Sequence, residues 1–222
     1  VTVVWWAAPV APADAPGLVA LLDGHERDRL DRFRRPADRA RYLAAHALVR
    51  LVLAATVGTP AAALPFDRTC RCGAQHGKPV LPGGPGFSLT HAGDLVGVAV
   101  HPDGAVGLDV EQARELGDLP AMVAHVCSPQ ESAADADAFF TLWTRKEALL
   151  KAVGTGLATP MSAITLGPAG VIAWTGDDAP RDPLWLADLH PAAGYHAAVA
   201  GTGPRPEITE ERGDGLLAAQ AR

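Results

Sequence analysis

The sequence predicts an α+β fold of two similar lobes. Three observations predict it. The order strand, helix, strands occurs twice along the chain. Two long helical patterns, over 36–55 and 134–152, are each followed by short apolar runs separated by turn residues. The 222 residues are 48% hydrophobic and 20% charged, an ordinary globular balance in a chain long enough to bury a sizeable core. Each lobe is then a small, mostly antiparallel sheet packed with one long helix. The two are pseudo-symmetric in architecture, with no residue repeat. The expected division is residues 1–103 for the N-terminal lobe and 104–200 for the C-terminal lobe. Residues 201–222, polar and containing Gly and Pro, read as a flexible tail.

The elements follow in order. Residues 1–6 (VTVVWW) are branched and aromatic, as strands are. No basic residue precedes this short apolar run, so it does not read as a secretory signal. Residues 9–17 are a Pro-rich loop. Pro36 suits a helix start, the Ala/Leu-rich run after it suits a buried helix, and Gly58 and Pro60 end it. Residues 65–86 read as loop. FSLTH (87–91), LVGVAVH (95–101) and AVGLDVE (105–111) read as consecutive antiparallel strands, with Pro102-Asp103-Gly104 as a turn. The second helix is closed by Gly154 and Gly156. Runs at 162–166, 171–175, 184–189 and 195–200 then read as a β-meander.

Charge and cysteine content narrow the function. Twenty-five acids against 19 bases give a net charge of −6, which argues against a general nucleic-acid binder. A local basic strip remains: Arg27, Arg29, Arg32, Arg34, Arg35, Arg39 and Arg41, against Glu26, Asp28, Asp31 and Asp38. No uninterrupted apolar run approaches the roughly 20 residues of a membrane helix. Three cysteines do not make a disulfide framework, and a reducing, cytoplasmic setting is expected. Cys70-x-Cys72 with His76 has some features of a zinc site. The C-x-C spacing is not the common knuckle and a fourth ligand is not apparent, so reduced loop thiols are the favoured reading.

Three constellations carry chemistry. In Gly107-Leu108-Asp109-Val110-Glu111 strand alternation puts Asp109 and Glu111 on one face, roughly 6–7 Å apart, suited to a hard divalent cation or to an ordinary solvated strand face. In the second helix Glu147 and Lys151 are four apart and share a face. Only three of the 19 basic residues are lysine, and two of them, Lys146 and Lys151, flank Glu147. Trp143 falls at core spacing with Phe139 and Leu150. Gly77-Lys78-Pro79, with Thr90-His91 downstream, offers a close backbone approach and two phosphate-binding side-chain types.

Taken in order, GKP, F-S-x-T-H, G-L-D-V-E and W-x-x-K-E-A-x-x-K-x-x-G-x-G-L resemble the motifs of the Sfp-type 4′-phosphopantetheinyl transferases. The resemblance runs from Gly77 to Leu157, and its last motif, Trp143 to Leu157, is the specific one. It implies that family's fold. It also implies transfer of the 4′-phosphopantetheine arm of coenzyme A to a serine of an apo carrier protein, with release of 3′,5′-ADP. By resemblance, Asp109, Glu111 and Glu147 bind Mg²⁺, with Mn²⁺ as an alternative. Glu147 also activates the serine hydroxyl, and Lys151 stabilises charge on the phosphoryl or leaving group. Lys78, Pro79, Thr90, His91, Arg29 and Arg41 match coenzyme A contacts, and Lys146 takes a secondary one. One position departs from the pattern: Glu26 stands where the family has a lysine.

The resemblance places the active site in the cleft of the lobes, the second giving the metal ligands and the first much of the coenzyme A pocket. A monomer suffices, with an acyl or peptidyl carrier protein as partner and neither nucleic acid nor membrane. The carrier's pathway (fatty acid, polyketide or nonribosomal peptide) stays open. Two other classes compete: a metal-dependent phosphodiesterase or nuclease, which uses the same acid and lysine set, and a non-catalytic coenzyme A- or carrier-binding module.

Overall fold

The computed structural model describes every residue except 71, 72 and 76, and every side chain but theirs and that of Leu157. The zinc reading of Cys70, Cys72 and His76 therefore lies outside the described residues. The chain is mixed α+β. Its first elements are β1 (Thr2–Ala7), α1 (Pro16–Leu21), α2 (Gly24–Arg32) and α3 (Pro36–Val57). Then come β2 (Gly86–Ala92), β3 (Leu95–His101), β4 (Val106–Gln112), α4 (Leu119–Val126) and α5 (Ala136–Val153). Four strands follow: β5 (Ile164–Gly167), β6 (Gly170–Trp174), β7 (Leu184–Leu189) and β8 (Tyr195–Thr202). The chain ends with β9 (Ile208–Arg212) and α6 (Asp214–Gln220). Two compact units emerge: residues 1–103 with 208–222, and residues 104–207.

In the first unit the sheet order is β2-β3-β1-β9. β3 pairs antiparallel with β2 on one edge and β1 on the other, and all seven of its residues are buried. That explains its near-continuous apolar sequence, LVGVAVH. α3 packs Leu43, Leu48 and Leu53 into this core with Phe87, Val96 and Val98. Pro36 opens α3 and Gly58, at φ 69°, closes it. By length and composition α3 could cross a membrane. Here it is the central core helix, and it carries the fully buried Arg50.

Arg50 is compensated by α2. Asp23 and Glu26 form a capping box: the Asp23 side chain accepts from the Glu26 backbone N–H and the Glu26 side chain from that of Asp23. Arg50 donates to Glu26 Oε2 and Asp23 Oδ2, each at 2.7 Å, and to the carbonyl of Ala61. Arg68 adds a second guanidinium at 2.8 Å from Glu26 and 2.9 Å from Asp23. His46 lies 3.2 Å from Glu26. Burial alone would raise the Glu26 carboxyl, but His46 and Arg50 together hold it down at about 2.

Three sequence expectations are corrected. Residues 201–222 are not a flexible tail. β9 pairs in parallel with β1, Trp6 donates to Glu210, and Leu217 of α6 is buried in the first unit's core. The segment hid itself because an edge strand can be mostly polar: its backbone bonds, not its side chains, attach it. β4 does not extend the β2–β3 hairpin, because β1 already occupies β3's second edge; β4 pairs with β8 instead. The four late strands are not one meander. β5 and β6 form a separate two-stranded sheet, while β7 and β8 join β4 in the order β4-β8-β7.

In the second unit α5 starts at Asp135, whose side chain accepts from the Ala138 N–H, and stops at Gly154, φ 80°. Phe139, Leu149 and Leu150 pack with Ile164, Ala198 and Ala200. Trp143 packs against the same cluster at its margin. β4 crosses α5 at Gly107. A Cβ there would lie 1.9 Å from the Ala148 carbonyl oxygen and 2.5 Å from the Ala152 nitrogen. Only glycine permits this approach.

Two expected outcomes follow from this packing. Gly107→Ala forces β4 off α5 and lowers stability by at least the 1–3 kcal/mol typical of overpacking, read by urea unfolding; a wild-type midpoint would show that the contact is not tight. Glu26 is bound below its unfolded-state range. Its stabilisation is therefore present above about pH 4.5 and lost as pH falls towards 2. The loss is on the order of 3 kcal/mol. Unfolding free energies measured from pH 5 to pH 2 should fall steeply in the native chain and less in Glu26→Gln.

Candidate active site on β4 and α5

Alternation along β4 puts Gly107, Asp109 and Glu111 on one face. Because Gly107 lies on α5, that face is covered by the helix and is not the solvated face of an ordinary edge. Asp109 is accordingly buried, 6% exposed. Glu111, nearer the strand end, is half-buried.

α5 meets these carboxylates with Glu147 and Lys151, one turn apart. The Lys151 ammonium donates to Asp109 Oδ1 at 2.7 Å and to the Leu108 carbonyl at 3.0 Å. The Glu147 carboxyl is pushed above the usual range, first by burial and then by the negative charges of Asp109 and Glu111; Lys151 opposes the shift. These shared fields place the three acids in one electrostatic neighbourhood, on two rigid elements. Glu111 also receives Arg114 at 3.0 Å. Arg114 was missed from sequence; it lies three residues beyond Glu111, past the end of the strand, and its guanidinium stacks over Phe140 at 4.9 Å. Oxygen donors of this kind suit a hard divalent cation. Among the described residues, however, no three acidic, His or Cys side chains already form a closed metal cage.

Lys146 is placed differently. It is turned roughly 100° from Glu147 on the helix and is fully buried. Its ammonium donates to Glu131 at 2.5 Å, to the Val126 carbonyl at 2.8 Å and to the Met161 carbonyl at 3.1 Å. Those three bonds use its full donor set. Lys146 is thus the internal counter-ion of Glu131, with no donor left for a phosphate. Glu131, also absent from the sequence reading, accepts the N–H groups of Ser128 and Leu166 as well. Its carboxyl is held low by Lys146 and these N–H bonds against the opposing effect of burial.

The remaining candidates lie in the first unit. Arg41 donates to the Gly93 carbonyl at 2.9 Å and to Asp38 at 2.6 Å, joining α3 to the β2–β3 turn. Thr90 is buried and His91 exposed, on β2 just before that turn. Arg29 is exposed on α2, and Lys78 and Pro79 are half-buried. Glu26, the departure from the family pattern, faces inward to Arg50, Arg68 and His46.

Comparison with known proteins identifies the family of this chain. The family model for the 4′-phosphopantetheinyl transferase superfamily matches residues 105–200, which contain both β4 and α5. A phosphopantetheinyl transferase of Thraustochytrium sp. is 31% identical, over 90% of this chain and 81% of its own length. The 4′-phosphopantetheinyl transferase HetI of Nostoc sp. is 33% identical over 66% of this chain and 68% of its own. The Sfp enzyme of Bacillus subtilis is 22% identical over 88% and 89%. With that identity sustained across most of both sequences, the chain belongs to the 4′-phosphopantetheinyl transferase superfamily.

Proposed function

We propose that this chain moves the 4′-phosphopantetheine arm of coenzyme A onto a serine hydroxyl of an apo carrier protein and releases 3′,5′-ADP. The observation that carries the reading is the Asp109–Lys151 pair with Glu147 beside it. The serine oxygen forms a bond to the phosphorus that bears pantetheine. The bond from that phosphorus to the 3′,5′-ADP oxygen breaks, and the serine proton leaves. Glu147 is the residue suited to receive that proton where it does not itself ligate a cation, because burial and the neighbouring carboxylates raise its affinity for protons and a bound cation would lower it. Lys151 holds positive charge next to Asp109, where the charge on the transferring group is stabilised. A divalent cation, Mg²⁺ or Mn²⁺, held by Asp109, Glu111 and Glu147 would neutralise the pyrophosphate.

Lys78, Pro79, Thr90, His91, Arg29 and Arg41 are the proposed coenzyme A contacts. Lys146 is left to structure. Each unit is a long helix on a small sheet, and we read the two as pseudo-symmetric halves of one monomeric, cytoplasmic enzyme.

The test is the intact mass of apo carrier proteins incubated with the chain, coenzyme A and Mg²⁺. A gain of one phosphopantetheine, abolished by chelator, is expected. Cleavage of coenzyme A without carrier modification would instead mark a phosphodiesterase. Metal-independent coenzyme A binding with no transfer would mark a binding module. Glu147→Gln should keep the thermal midpoint and reduce transfer by roughly 10²–10⁴-fold, the usual scale for losing an acid–base group. Normal transfer by that folded variant would remove Glu147 from the mechanism.

A further inference from the structure

Arg68 has no role in the site described above, yet its placement is unusual. It lies in a ribbon made by residues 67–69 and 77–80. Asp67 and Val80 exchange both backbone hydrogen bonds, at 2.9 and 2.8 Å, and the Gly77 N–H donates to the Arg68 carbonyl at 2.7 Å. A Cβ on Gly77 would sit 2.9 Å from the Thr69 carbonyl oxygen and 3.0 Å from that of Arg68, so the two arms touch. Lys78 and Pro79 lie between these rungs. Their backbone position is therefore set by the opposite arm.

Apolar side chains anchor the flanks of this ribbon, with Leu64 and Leu81 buried in the first unit's core and Phe66 packed against it. Among the described residues of 65–80, Arg68 alone is buried. Its guanidinium bonds Asp23 Oδ2 and Glu26 Oε1 and packs over the Phe66 ring at 5.5 Å. Phe66 in turn contacts Phe87 of β2, centroids 5.3 Å apart. The charges explain the attachment. Asp23 and Glu26 bring two negative charges into a site where Arg50 supplies one permanent positive charge and His46 a further, protonation-dependent one. Arg68 supplies the second permanent one, bonded to both carboxylates, and a buried carboxylate short of a cation is costly. The inward-facing Glu26 is an anchor for arginine, not a contact for an anion.

The geometry points to Arg68 as a positioning residue: its guanidinium, locked on Asp23 and Glu26, fixes the ribbon that presents Lys78 and Pro79 to coenzyme A. This rests on the reading of Lys78 as a coenzyme A contact. Arg68 acts through Lys78, so its loss weakens substrate binding without altering the β4–α5 chemistry.

The experiment is steady-state transfer kinetics on the full chain for Arg68→Met, Arg68→Lys, Lys78→Ala and the Arg68→Met/Lys78→Ala double variant, each checked by circular dichroism. Arg68→Met should raise KM for coenzyme A about tenfold and leave kcat within about twofold, the signature of lost uniform binding. KM for the carrier protein should not move, and Arg68→Lys should recover most of the loss. In the Lys78→Ala background Arg68→Met should add little, because coupled sites are not additive. An unchanged KM in Arg68→Met, or full additivity with Lys78→Ala, overturns the inference while the coenzyme A reading stands. An unchanged KM in Lys78→Ala overturns that reading, and the inference with it. Should Arg68→Met fail to fold, Asp23→Asn weakens the same lock while retaining the capping oxygen; the same KM shift supports the inference and its absence overturns it.

Discussion

The close approach of β4 to α5 at Gly107 is the constraint on which the candidate site depends. A strand normally stands about 10 Å from a layer packed on it, with side chains filling the gap. Here the gap has no room for even a Cβ, because the Ala148 carbonyl occupies that position. The consequence is a short reach. Lys151, one turn beyond Ala148, bonds both the Asp109 carboxylate and the Leu108 backbone. Glu147, immediately before Ala148, comes into the field of Asp109 and Glu111. A methyl group two residues from Asp109 would alter all of these at once.

The two lysines of α5 show how position on a helix divides similar side chains between structure and chemistry. Lys146 and Lys151 are five residues apart and roughly 140° apart around the axis. One is sealed among Glu131 and two carbonyls, where burial lowers its proton affinity and Glu131 restores part of it. The other keeps 29% of its side chain exposed beside the strand carboxylates. The sequence motif gives Lys151 the main role and Lys146 a secondary one, and helical geometry carries that division further, taking Lys146 out of the site. The Glu131–Lys146 pair also ties α5 to the segment before it and to β5, through the Ser128 and Leu166 amides.

Much of this was legible in the sequence, and the parts that were not share a cause. Both long helices, their glycine stops, and the strands bearing Thr90, His91, Asp109 and Glu111 announce themselves through local patterns. Strand pairing does not, since nothing in AVGLDVE says that its neighbour is YHAAVAGT rather than LVGVAVH. β9 was hidden because Thr-Glu-Glu-Arg carries almost no apolar signal. The Asp23-x-x-Glu26 capping box was present to be read. Its union with Arg50 and Arg68 required positions 24 and 42 residues beyond Glu26 to be brought together by folding. Glu131 and Arg114 were hidden for the same reason: a lone charge acquires meaning only from its partner.

The two ionic clusters differ in a way that separates scaffold from site. In the first unit two arginines meet two carboxylates, and the buried charge closes near zero, as a structural cluster requires. In the second unit Asp109, Glu111 and Glu147 are gathered near Lys151 and Arg114. Burial first, and then the charges of Asp109 and Glu111, raise the proton affinity of Glu147 against the opposing charge of Lys151. A buried carboxylate whose proton affinity is raised costs stability while it is charged, so packing alone does not explain it. It makes sense where a positive charge arrives from outside, whether as a proton accepted from a hydroxyl or as a cation bound with an anionic substrate. On the proposed function, charge moves through this site, whereas the Arg50 cluster holds its charge in place.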